Sequence, residues 1–197
     1  MPKIIENLRE QITQEAKRQL FSQGYGKTTI RSVASACGIG VGTVYNYFSS
    51  KELMISAFML DDWHECIGQI HALDKSDFDG FFRGITSILS SFNEKYQTLY
   101  LDKDARKVFS MVSNDRHTQL RNQLAEIISP MVRLPECRDD LCNEGVDRFD
   151  DAGCFDDAHA DEDSKFLTEY IAESIIYWTM RKTPIDRQLL VLRKLLL

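Results

Sequence analysis

Within five residues the chain places Thr43, Tyr45, Asn46 and Tyr47, and four residues later stands Lys51. Hydroxyls, a carboxamide and an ammonium in this order contain no nucleophile–base pair and no metal-ligand set. They are hydrogen-bond donors and acceptors suited to phosphate oxygens and base edges. A Thr43 hydroxyl can meet a base edge or a phosphate, and its methyl a thymine methyl. Asn46 can read a base, and the two tyrosines can donate to phosphate. Gly42 allows the backbone itself to come close to a duplex. Arg31 and Lys51 add positive charge to either side.

Side chains of this kind act together only if a short helix carries them outward. The pattern around them predicts one. Ile30, Val33, Ala34 and Cys37 recur at the spacing of a short helix, and Val41, Val44, Tyr45 and Phe48 repeat it in the next. Gly38 between them can take positive φ without a Cβ penalty, so it ends the first helix and turns the chain. Ala34 is small where two steeply crossing helices touch, and Ile39, Val44 and Phe48 close the core beneath. Two short helices joined by such a turn predict a helix-turn-helix. Thr28 is expected to cap its first helix, whose N-terminal amides suit a phosphate. Before it, Ile5, Leu8, Ile12, Ala16 and Leu20 line a helix that stops near Gly24–Gly26. After it, Ser49-Ser50-Lys51-Glu52 reads as a capping box led by Ser49, opening a long helix to about Leu73.

The block Gly24-Tyr25…Thr28-Thr29-Ile30-Arg31…Ala34…Gly38…Gly42-Thr43-Val44-Tyr45-Asn46-Tyr47-Phe48…Lys51-Glu52-Leu53 resembles the N-terminal signature of the TetR family of bacterial transcriptional regulators. The resemblance covers roughly the first quarter of the chain. It implies a homodimer on a palindromic operator, usually a repressor released by a small-molecule ligand. It also implies DNA contacts at Thr28, Arg31, Val41, Gly42, Thr43, Tyr45, Asn46, Tyr47 and Lys51. Two positions depart from the family's habit. Val41 stands where a polar or basic residue is common, and Gly40 where a serine cap is common. Base reading is therefore expected to lean on Thr43, Asn46 and Arg31.

Charge supports a DNA-binding head. The whole chain carries −6, but residues 1–51 hold seven Lys/Arg against three Glu, a net of +4, leaving −10 for the rest. A phosphate backbone responds to the local field rather than the chain average. The expected division is a DNA-binding domain over 1–51 and a helical ligand-binding and dimerisation domain over 52–197, all-α throughout. No stretch of about 18 apolar residues predicts a membrane span. The opening Met1–Glu6 lacks a signal-peptide pattern, and five cysteines form an odd set, so a reducing cytoplasm is expected. No triad, nucleophile elbow, HExxH or phosphate loop points to an enzyme, and no cofactor is expected. Gly38-x-Gly40-x-Gly42 with Asp61 and Asp62 some twenty residues on mimics a dinucleotide-binding loop. However, the preceding Ile30–Cys37 has helical rather than strand periodicity.

Further helices are expected over Phe78 to about Tyr100, Asp104–Ser113, His117 to about Leu134, Ser164–Arg181, and from Pro184 onward. The last two are apolar on nearly every side, which predicts a partner subunit over Ile175, Ile176, Trp178, Leu189, Leu192 and Leu196. Aromatic and methionine side chains in the middle helices, with Phe92, Phe109, Met111 and Tyr170 as candidates, could line a ligand cavity or simply fill the core. Between Pro135 and Lys165 twelve Asp/Glu face three Lys/Arg, which reads as a solvated connection. It also contains Cys137, Cys142, Cys154 and His159, a donor set that zinc or a thiol-redox switch could use. A metal- or redox-responsive regulator is the alternative reading.

Overall fold

The computed structural model describes residues 7–132 and 160–196, and of residues 107–117, 160 and 161 the backbone alone. Eight α-helices and no strand occur among the described residues: α1 (Leu8–Gln23), α2 (Ile30–Ala36), α3 (Val41–Tyr45), α4 (Lys51–His71), α5 (Phe78–Leu101), α6 (Lys103–Ile128), α7 (Ala160–Met180) and α8 (Ile185–Leu196). None is long and apolar enough to cross a membrane. Two compact units result. The first comprises 7–72 and 87–116, the second 73–86, 117–132 and 160–196.

The first unit is organised by α1. Leu8, Ile12, Ala16 and Leu20 form its buried stripe, meeting Ile30, Val33 and Ala34 of α2, Val44 of α3, and Met54, Ile55 and Phe58 of α4. Spacing of three and four puts these side chains on one face of each helix, and their removal from water is what holds the short α2 and α3 in place. Helices of seven and five residues could not persist alone, because nucleation costs more than so few backbone bonds return. Gly24 (φ 83°) and Gly38 (φ 67°) make the two sharp turns. Both adopt the left-handed region that a side chain disfavours.

In the second unit Phe81, Phe82 and Ile85 of α5, Leu124, Ile127 and Ile128 of α6, Ile171 and Ile175 of α7, and Leu189 and Leu192 of α8 are buried. Two ion pairs fasten α8 to the start of α5: Arg193 to Asp79 at 2.8 Å and Arg83 to Asp186 at 2.5 Å. Their exposure keeps their individual contribution small.

Three expectations are corrected. The segment read as two helices, Asp104–Ser113 and from His117, is the single helix α6. Ser113-Asn114-Asp115 lowers helix propensity by only about 0.5 kcal/mol per residue, and nothing there is a Pro or Gly. Helix α7 extends N-terminal of Ser164, to Ala160 among the described residues, and Asp161, Glu162 and Asp163 suit an early turn of a helix. Finally, Ile175, Leu189 and Leu192 are buried within the chain itself. They belong to its own core and are not free for a partner.

Candidate nucleic-acid interface

The interface is built from the turn after α1 upward. Thr28 is fully buried, and its hydroxyl donates to the Gly24 carbonyl at 2.9 Å. Its amide reaches the same oxygen at 3.2 Å. Thr28 therefore closes the α1–α2 turn and presents no group to a duplex. The cap of α2 is Thr29, not Thr28. The Thr29 hydroxyl accepts from the Ser32 amide at 3.0 Å, and the Thr29 amide donates to the Ser32 hydroxyl at 2.9 Å. This reciprocal pair satisfies two amides that the helix leaves orphaned.

Helix α3 then follows the Gly38 turn. Gly40, at its N-cap, provides no side-chain hydrogen bond, in keeping with the missing serine. Val44 of α3 and Phe48 of the turn after it point into the core. Tyr45 and Tyr47 are 53% and 46% exposed; Gly42 and Asn46 are exposed, and Thr43 is half-buried. Val41, at 36%, offers an apolar methyl pair at the helix start. Nothing lies within 4 Å of where a Cβ on Gly42 would stand, so the free fold does not require glycine there. Any such requirement would come from a surface approaching α3.

Arg31 is exposed in the first turn of α2. Lys51, at the first position of α4, is more constrained. Its ammonium donates to the Tyr25 carbonyl at 2.5 Å and sits 3.4 Å from the centre of the Tyr25 ring. Burial pushes the Lys51 pKa below its usual value despite the nearby Glu52, Asp102 and Asp104. The Tyr25 hydroxyl in turn donates to Glu52 at 2.8 Å, and burial together with that carboxylate raises its pKa. The helix cap here is Ser50, which accepts from the Leu53 amide at 3.2 Å. The expected box led by Ser49 does not form, because the cap lies one residue later, at Ser50, and Glu52 then stands at the second helical position rather than the third.

Two supports escaped the sequence reading. Gln19, buried on α1, accepts from the Ser32 hydroxyl at 2.6 Å and donates to Glu15 at 2.8 Å. Glu15 is paired with Arg18, which first among its partners holds its carboxyl below the usual range. The cap of α2 is thus anchored to α1. Arg9 lies 5.4 Å over the Phe48 ring, adding an exposed cation at the end of the α3 turn. Glutamine at the same helical spacing as Ala16 and Leu20 was the available signal for the first of these.

The candidate ligand residues with described side chains fall in different units, Phe92 in the first and Tyr170 in the second. Phe92 is half-buried, its ring 5.4 Å from Trp63 and 5.0 Å from Tyr96. Tyr170 is 58% exposed on α7. The side chains of Phe109 and Met111 lie outside the described residues, as do Cys137, Cys142, Cys154 and His159. A groove of about 410 Å³ opens in the second unit between the end of α6 and the start of α7. Its walls include Asn122, Glu126, Ser129, Lys165 and Glu169, and none of the described residues lining it is aromatic.

Comparison with known proteins agrees with this geometry. Residues 12–58 match the model of bacterial regulatory proteins, tetR family. The transcriptional regulator UidR of Escherichia coli is 34% identical over 67 residues, 30% of this chain and 34% of its own length. TtgR of Pseudomonas putida, also described as a transcriptional regulator, is 28% identical over 107 residues, 52% of this chain and 48% of its own. The matched stretch thus spans a third to a half of these relatives. Across nearly the whole chain the fold is similar to two solved structures. One is the TetR family repressor AlkX of Dietzia (TM-score 0.58, 15% identity, covering 96% and 97% of the two chains). The other is a TetR/AcrR family regulator of Thermobifida fusca (TM-score 0.51, 21% identity, 95% of each).

Proposed function

From the match of residues 12–58 to the model of bacterial regulatory proteins, tetR family, and the likeness to the regulators UidR and TtgR, we propose that this chain is a TetR-family homodimeric transcriptional regulator. In this reading it binds a palindromic operator through α3, acts as a repressor in the bacterial cytoplasm, and is released by a small-molecule ligand. One observation carries the DNA-binding part. Helix α3 and the turn after it commit Val44 and Phe48 to the core and leave Val41, Gly42, Tyr45, Asn46 and Tyr47 exposed, while Arg9 and Arg31 are exposed on α1 and α2 and Lys51 begins α4. A groove 12 Å wide accepts such a helix, and cations at its margins meet the phosphates.

The second copy has a surface to cover. On α7, Tyr170, Tyr177 and Met180 are exposed, and on α8 Leu190, Val191 and Leu195 are exposed. Burying large apolar side chains contributes about 1.5–3 kcal/mol each, and a two-fold dimer matches a palindrome. These residues replace the buried Ile175, Leu189 and Leu192 as candidates, beside the half-buried Ile176, Trp178 and Leu196. Sequencing genomic fragments retained by the purified protein, with sedimentation of the complex, tests the proposal. A recurring palindrome bound by two chains is expected. Retention without any shared sequence would contradict it.

A further inference from the structure

Asp62 of α4 fits the twenty-residue spacing of a nucleotide loop that the fold does not contain. The structure gives it different company. It is 6% exposed, and three groups from two other helices converge on its carboxylate. Lys17 of α1 pairs with Oδ1. Lys95 of α5 lies 2.6 Å from Oδ2, and the Tyr96 hydroxyl, also of α5, donates to Oδ2 at 2.5 Å. Burial by itself would raise the Asp62 pKa, yet these three donors outweigh it and hold the carboxyl below its usual value. Around the carboxylate, Phe21 of α1 lies 5.6 Å from the Tyr96 ring, which continues to Phe92 and Trp63.

Apolar contacts between helices fix distance better than they fix orientation, because many rotations bury similar area. A buried carboxylate is stricter. Each donor must stay within hydrogen-bond reach, and withdrawing one leaves charge in a medium that cannot solvate it. Asp62 therefore ties α1 to α5 through one side chain. Since α2 and α3 are packed on α1, the direction in which α3 points depends on the same joint.

We propose that Asp62 is a positioning residue for DNA recognition, setting through Lys17 on one side and Lys95 and Tyr96 on the other the orientation in which α1 carries α3 to a duplex. The proposal rests on the reading of α3 as a recognition helix. Asp62 sits in the core and offers nothing to DNA, so its effect falls on fit rather than on charge attraction. Meeting two half-sites in register is sensitive to orientation, whereas attraction to phosphate is not.

The test uses the full chain, a genomic duplex selected by the wild-type protein, and a scrambled duplex of equal length. Asp62→Asn is expected to weaken binding to the selected duplex about tenfold while leaving the scrambled duplex and the salt slope unchanged. Lys95→Met should reproduce this, and the double variant should be no weaker than the worse single one, because both break one joint. Lys95→Arg should retain wild-type preference. Additive losses, equal losses on both duplexes, or a folded Asp62→Asn with full preference would each overturn the proposal. If Asp62→Asn does not fold, Lys95→Met against Lys95→Arg decides it: equal behaviour of the two overturns the joint. A wild-type protein that prefers neither duplex would instead contradict the DNA-recognition reading itself.

Discussion

The Lys51 ammonium lies 3.4 Å from the centre of the Tyr25 ring and donates to the Tyr25 carbonyl, so the lysine that begins α4 also locks the turn that precedes α2. One residue therefore serves the frame of the interface and stands at its margin. Replacing Lys51 by Ala should lower thermal stability by about 1–2 kcal/mol, from the lost cation–π and charged hydrogen bond. It should also weaken binding to every duplex alike and reduce the salt slope by about one unit. Melting curves and salt titrations separate the two effects. A lower melting temperature with an unaltered slope would leave Lys51 as a purely structural lock.

Neighbouring threonines should behave differently. Thr29→Ala removes the α2 cap and is expected to cost about 1 kcal/mol. Thr28→Val removes the bond to Gly24 and leaves a carbonyl short of one donor, at a similar cost. Neither should change the salt slope. Weaker binding to every duplex by a folded Thr28→Val would mean its hydroxyl reaches phosphate after rearrangement of the turn.

In the proposed reading the half-buried Thr43 hydroxyl meets a base edge. Thr43→Ala should lower the preference for the selected duplex by about 1–2 kcal/mol while sparing the scrambled one. Competition binding reads the ratio directly, and undiminished discrimination would remove Thr43 from base contact.

Asp62 also makes an acid-pH prediction. Its pKa is depressed in the folded protein, so the unfolded chain takes up this proton first as pH falls. The stability it contributes is complete above its unfolded value of about 3.9 and declines as pH drops toward the folded one. The gap in melting temperature between wild type and Asp62→Asn should stay constant from about pH 7 to about pH 5 and narrow below about pH 4. A gap that widens in acid would show that Asp62 is not held ionised in the fold.

The frame of the first unit was legible because it is local. Ile12, Ala16 and Leu20 announce α1 by period, and Gly38 announces its turn by the one conformation only glycine takes freely. Caps were legible only to within one residue. Thr28 and Thr29 are chemically equivalent acceptors, as are Ser49 and Ser50, and which one caps depends on where the chain leaves the helix axis. The Asp62 joint was illegible for another reason: Lys17 is 45 residues away and Tyr96 is 34 away, so no window of sequence contains it. Helices α7 and α8 were recognised as too apolar for solvent. Which of their faces the chain keeps for itself, with Ile175, Leu189 and Leu192 inside and Tyr177 and Leu190 outside, is a property of packing rather than of composition.

The most direct measurement is the affinity of the purified protein for its selected genomic duplex and for the scrambled duplex across a range of salt. Both affinities should fall together as salt rises, while their ratio stays at roughly a thousandfold or more, because α3 reads bases that screening does not touch. A ratio near one at every salt would mean that α3 reads no sequence, and the assignment of this chain as an operator-specific regulator would fail.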